Sequence, residues 1–145
     1  MLRSLLIYLS KAAWARQIVT RWKIAWRVAS RFVAGETPDD AIRVIRELNE
    51  KGICATLDHL GESVTDPAEA RHAAAEIIYM LEEINRTDVQ AGVSIKPTQI
   101  GLALGVDLYV ENLRAILKKA KELENFVRID MEDSPYTEVT LSTFK

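Results

Sequence analysis

"GVSIKPTQIG", residues 92–101, decides how this chain folds. It alternates small and apolar residues with polar ones, then runs into Lys96 and Pro97. A short apolar run of this kind reads as a buried strand. Proline has no N–H to give to a ladder, so the strand is finished at Lys96. "FVRIDMEDSP" at 126–135 repeats the pattern with Asp130. "ICATLD" at 53–58 does so with Asp58. Three short strands are therefore expected, at 53–58, 92–96 and 126–131.

The segments between them carry helical periodicity. Before the first strand, "GETPDD" opens a helix, with Thr37 as N-cap, Pro38 in the first helical position and Asp39 and Asp40 at the positive end of the dipole. Ile42, Ile45 and Leu48 form its apolar stripe, and Gly52 ends it. Next, "DPAEA" places Asp66 as cap, Pro67 first and Glu69 in the capping-box position. Ala70, Ala73, Ala74, Ile77, Ile78, Leu81 and Ile84 give that helix a long apolar face. A further helix covers about 106–123, and "SPYTEVTLSTF" reads as the start of another. Short buried strands separated by long amphipathic helices predict a parallel sheet of right-handed βαβ units. Three strands make a poor doubly wound domain. The expected fold is α/β: a helical arm at residues 1–34, then at 35–145 the first three βα units of a (βα)8 TIM-type barrel. Such a barrel typically needs about 250 residues, so this one is read as cut short.

Composition bounds the rest. The 145 residues are 48% hydrophobic and 28% charged, an ordinary globular mixture. The net charge of −2 hides an asymmetry. Residues 1–34 contain Arg3, Lys11, Arg16, Arg21, Lys23, Arg27 and Arg31 and no acid, so all 21 Asp and Glu lie in the remainder. Trp14, Trp22, Trp26 and Phe32 accompany those cations. The arm reads as an amphipathic helix packing on the rest of the protein, or else as a membrane-surface or partner-binding helix. The acidic body argues against nucleic acid. "LLIYLS" has the hydrophobicity of a signal-peptide core, but Lys11 and Arg16 follow too soon. The single cysteine, Cys54, excludes an intrachain disulfide and a Cys-based metal site and fits a reducing compartment. No metal constellation, GxGxxG or P-loop is visible.

In a parallel barrel the C-terminal ends of the strands form the active-site face. Lys96, Asp130, Asp58 and Glu62 are expected to converge there. Each has a plainer reading. Lys96 and Asp130 also suit a structural ion pair between neighbouring strands, and Asp58 suits a cap on the loop "HLGE". His59 reads as a loop residue, His72 as a surface residue and Cys54 as a small core residue.

Four motifs, "RFVAGET" (31–37), "LDHLGESV" (57–64), "VSIKPTQIGLAL" (93–104) and "VRIDMEDSPYT" (127–137), resemble the bacterial monofunctional proline dehydrogenase family. They occur in order, from about residue 30 to the end of the chain. The resemblance implies a distorted (βα)8 barrel that binds FAD non-covalently. It implies oxidation of L-proline to Δ1-pyrroline-5-carboxylate, with hydride passing from proline C5 to flavin N5 and electrons going on to a membrane quinone. It further implies that Lys96 lies beside the proline carboxylate and the flavin. Asp130 would hold the substrate pocket and cofactor by hydrogen bonds, and Glu62 would pair with a late-helix arginine as a gate. Asp58 and Glu132 would support them. Pro97 departs from the leucine of many relatives. The family's paired arginines and the FAD contacts of strands four to six are not in these 145 residues, so little FAD binding or proline oxidation is expected of this piece alone. The implied location is cytoplasmic, or peripheral at the inner membrane. Two other readings are a barrel enzyme in which Lys96 forms a Schiff base, and a non-catalytic module using the Trp-rich arm at a membrane surface.

Overall fold

A computed structural model describes residues 34, 35, 37–61 and 64–143. The arm at 1–33 and Glu62 lie outside them. The chain divides into two compact units, residues 1–40 and 41–145. In the first, the Thr37 hydroxyl accepts the Asp40 N–H at 3.2 Å, which is the expected N-cap of the helix that begins at Pro38.

Among the described residues four helices and three strands alternate: α1 (Pro38–Asn49), β1 (Ala55–Asp58), α2 (Pro67–Thr87), β2 (Ala91–Ile95), α3 (Val106–Glu122), β3 (Val127–Ile129) and α4 (Ser134–Ser142). The strands form one parallel sheet in the order β1-β2-β3. The register pairs Asp58 with Ser94 and Ser94 with Arg128. Consecutive parallel strands joined through helices are the repeating unit of a (βα)8 barrel.

Local chemistry sets each boundary. Asp66 caps α2 by accepting the N–H groups of Ala68 and Glu69 at 2.7 and 3.0 Å. The Glu69 carboxylate turns back to the Thr65 N–H at 2.9 Å, one residue before the cap, so the box is displaced by one position. Gly52, at φ 74°, ends the turn after α1 in the left-handed region that glycine enters without penalty.

The two faces of the sheet differ. Val93 and Ile95 of β2 are fully buried under α2 and α3 among Ile77, Leu81, Tyr109 and Ile116. Ala55, Leu57, Val127 and Ile129 flank them on the same face. The opposite face carries Thr56, Asp58, Ser94, Arg128 and Asp130, because side chains alternate along a strand. β1 was expected to be buried, yet its residues alternate between half-buried and exposed. Its helix-facing residues Ala55 and Leu57 meet the core, while Thr56 and Asp58 stand on the open face. Among the described residues no helix is long and apolar enough to cross a membrane.

Candidate active site

The strand ends bring two ion pairs to one face. Lys96, the first residue past β2, donates from Nζ to Asp58 Oδ2 at 2.6 Å. Its side chain is only 18% exposed, so the charge is largely shielded from solvent. Asp130, just past β3, accepts from Arg128 Nε at 2.8 Å and from the Ser94 hydroxyl at 3.2 Å. Its own N–H bonds the Ile95 carbonyl at 2.9 Å and fixes it to the end of β2. The neighbouring-strand ion pair of Lys96 therefore forms with Asp58 and not with Asp130. The pair engages one oxygen of the Asp58 carboxylate, Oδ2.

Partial burial by itself raises the Asp130 carboxyl. The hydrogen bonds from Arg128 and Ser94, with the charges of Arg128 and Lys96, outweigh it and leave the group below the usual carboxylate range. Asp130 is thus an ionised acceptor with two donors holding its position.

The loop after β2 is tied to both neighbours. Thr98 gives its N–H to Glu132 Oε2 at 2.7 Å and its hydroxyl to Glu132 Oε1 at 2.6 Å. Gln99, 1% exposed, donates from Nε2 to the His59 carbonyl at 2.8 Å. Asn112 of α3 donates to the Ile100 carbonyl at 3.0 Å. Ser94, Arg128, Thr98 and Gln99 were not singled out from the sequence. For Ser94, Thr98 and Gln99 a signal was present, because polar residues inside an apolar stretch must find partners once buried; Arg128 is exposed and carries no such signal. His72 is exposed on α2, and Cys54 is exposed, contrary to the expectation of a core position, because it precedes β1 at the end of the sheet away from the site.

No cluster of metal ligands occurs among the described residues. A concavity of about 590 Å3 opens at the N-terminal ends of the strands, between Cys54, Gln90, Gly92, Glu124 and Phe126. It contains none of the ion-paired groups, and parallel α/β sheets place their chemistry at the other end.

Three βα units whose strand ends present paired charges define the chain as part of a βα-barrel protein. A family model described as proline dehydrogenase matches residues 41–145. Proline dehydrogenase 1 of Bacillus subtilis is 37% identical over 148 residues, covering 100% of this chain and 48% of that protein. Proline dehydrogenase of Deinococcus radiodurans is 38% identical over 123 residues, covering 83% of this chain and 40% of that protein. The crystal structure of proline utilization A from Bdellovibrio bacteriovorus, inactivated by N-propargylglycine, superposes with a TM-score of 0.75 at 21% identity. That match covers 83% of this chain and 15% of the other. The chain belongs to the proline dehydrogenase family. It spans about half the length of the curated relatives it matches.

Proposed function

We propose that the protein carrying this chain oxidises L-proline to Δ1-pyrroline-5-carboxylate with FAD as cofactor and a membrane quinone as the electron acceptor. The observation that carries the reading is the convergence of Lys96 and Asp130, each braced by a partner, on the strand-end face of a chain in this family. In the reaction proline loses a hydride from C5 and a proton from nitrogen, and a C=N bond forms. FAD, when bound, supplies the two-electron acceptor.

The donor set suits such a group. A shielded cation at the end of β2 complements both a substrate carboxylate and the negative charge of a reduced flavin. Lys96 and Asp130 are the residues that would hold substrate and cofactor here. Asp58 orients the Lys96 ammonium, so that less side-chain entropy is lost when an anion arrives. Asp130 stays ionised and accepts hydrogen bonds from the substrate side, while Ser94 and Arg128 prevent its rotation. The Schiff-base alternative needs the Lys96 nitrogen free, and the ion pair to Asp58 engages it.

Glu62 retains its proposed role as a gate, from the motif "LGE". The basic Trp-rich arm is proposed to hold the protein against the cytoplasmic face of the membrane, where a quinone is reached. The test is incubation of the flavin-loaded protein with L-proline and a quinone analogue, with the pyrroline product trapped by an aromatic amino-aldehyde. Product formation is expected. Its absence from protein with FAD bound would reject the reading. Deleting residues 1–30 is expected to abolish binding to anionic liposomes, and unchanged binding would reject the arm's role.

A further inference from the structure

We propose that Glu132 is a positioning residue whose carboxylate clamps the loop after β2 to the loop after β3 and thereby sets the distance between Lys96 and Asp130. The inference deepens the proline-oxidation reading and rests on it for the roles of those two residues. Its geometry stands independently. Thr98 lies two residues past Lys96, and Glu132 lies two residues past Asp130. The clamp therefore crosses from β2 to β3 immediately beyond the functional pair.

Both oxygens of Glu132 are engaged, one by the Thr98 N–H at 2.7 Å and one by the Thr98 hydroxyl at 2.6 Å. Thr98 is only 7% exposed, so water does not compete readily for these bonds. Hydrogen bonds to a carboxylate are shorter and about twice as strong as neutral ones. The bond from the Asp130 N–H to the Ile95 carbonyl is the last rung below the clamp. Pro97 offers no N–H, so no further backbone rung can form at that residue. Beyond the rung, the Glu132 side chain takes over the work of a ladder. Gln99, fixed to the His59 carbonyl, holds the other side of the same loop to β1. Without the clamp, the loop that follows Lys96 would keep its ties to the β1 side and to Asn112 of α3 but lose its side-chain link to the β3 side.

Two substitutions separate clamp from charge. Glu132→Gln removes the charge and keeps both links: its oxygen accepts the Thr98 N–H, and its amide nitrogen donates to the Thr98 oxygen. Glu132→Ala removes charge and links together. In flavin-loaded protein, Glu132→Ala is expected to lower proline kcat/KM by about 100-fold, mostly in kcat, as a misplacement of about 1 Å does. Glu132→Gln should stay within about threefold of the parent. If Glu132→Ala does not fold, Thr98→Val keeps the N–H link, loses the hydroxyl link and should fall by about tenfold.

The second readout needs no turnover. Carbon-13 NMR titration of Asp130 and Lys96 in the chain should differ from the parent in Glu132→Ala more than in Glu132→Gln, with faster exchange of the Thr98 amide only in the former. Equal losses in both variants would make the effect one of charge and overturn the clamp. So would faster Thr98 exchange in Glu132→Ala with Asp130 and Lys96 titrating as in the parent. If the parent itself does not turn over proline, the proline reading falls, and the titrations alone decide the clamp.

Discussion

Replacing Gly92 by alanine tests the closeness of β2 and β3 beneath the site. A Cβ at Gly92 would lie 2.6 Å from the Phe126 carbonyl oxygen and 3.2 Å from Phe126 Cδ1. The backbone of Gly92 is not in the left-handed region, so alanine is not excluded by conformation. On that ground alone the change would stabilise by about 0.4–1 kcal/mol. The contact opposes this. Overpacking costs about 1–3 kcal/mol. The displaced oxygen also accepts the Val93 N–H at 3.1 Å, a bond with a net value of about 0.5–1.5 kcal/mol. The expected balance is a loss of about 2 kcal/mol, or about 7 °C in Tm for a chain of this size.

Urea unfolding of three variants isolates the cause. Gly105, the N-cap residue of α3, has an extended backbone and nothing within 4 Å of an added Cβ, so Gly105→Ala should lose no more than about 1 kcal/mol, the difference between glycine and alanine as a cap. Gly52 has open space and φ 74°, so Gly52→Ala should lose about 1 kcal/mol from strain alone. A Gly92→Ala protein as stable as Gly105→Ala would refute the strand-to-strand contact.

Further outcomes follow from single groups. Asp66→Ala removes the acceptor of two N–H groups at the start of α2 and should cost about 1 kcal/mol in denaturant unfolding. Asn49→Ala breaks the latch in which its Nδ2 donates to the Ile53 and Gln90 carbonyls and its Oδ1 accepts the Gln90 N–H. A loss of about 1–2 kcal/mol is expected, and no loss would mean that water replaces all three bonds. The Asp130 carboxyl lies below its ordinary value, so the stability it contributes is present above the unfolded-state value and fades as pH falls through the folded one. Asp130→Asn should flatten that part of the stability–pH curve, and an unchanged curve would contradict the lowered value.

Much of this architecture was legible in residue order. Asp66-Pro67 and Gly52 mark helix ends by chemistry that acts within a few residues, so those boundaries could be read directly. The strand ends were legible because Pro97 cannot continue a ladder and because Lys96 and Asp130 each close an apolar run. Pairing was not. Whether Lys96 meets Asp58 or Asp130 depends on register and on which diagonal a four-carbon side chain spans: Asp130 follows the Ile95–Ile129 pair, while Asp58 is level with Ser94, two residues before the lysine. Glu132 and Thr98 lie 34 residues apart, and nothing local distinguishes their contact from solvation. The same holds for Asn49, whose partner Gln90 is 41 residues away. Burial of β1 was overread because a strand's apolar residues look alike whether one face is covered or two.

The most direct test of the central claim is anaerobic mixing of L-proline with the flavin-loaded protein, followed in the visible flavin band. The account predicts bleaching by L-proline in the parent and its loss, with flavin still bound, in Lys96→Met. A flavin that proline does not bleach, or a Lys96→Met protein that bleaches as fast as the parent, would contradict it.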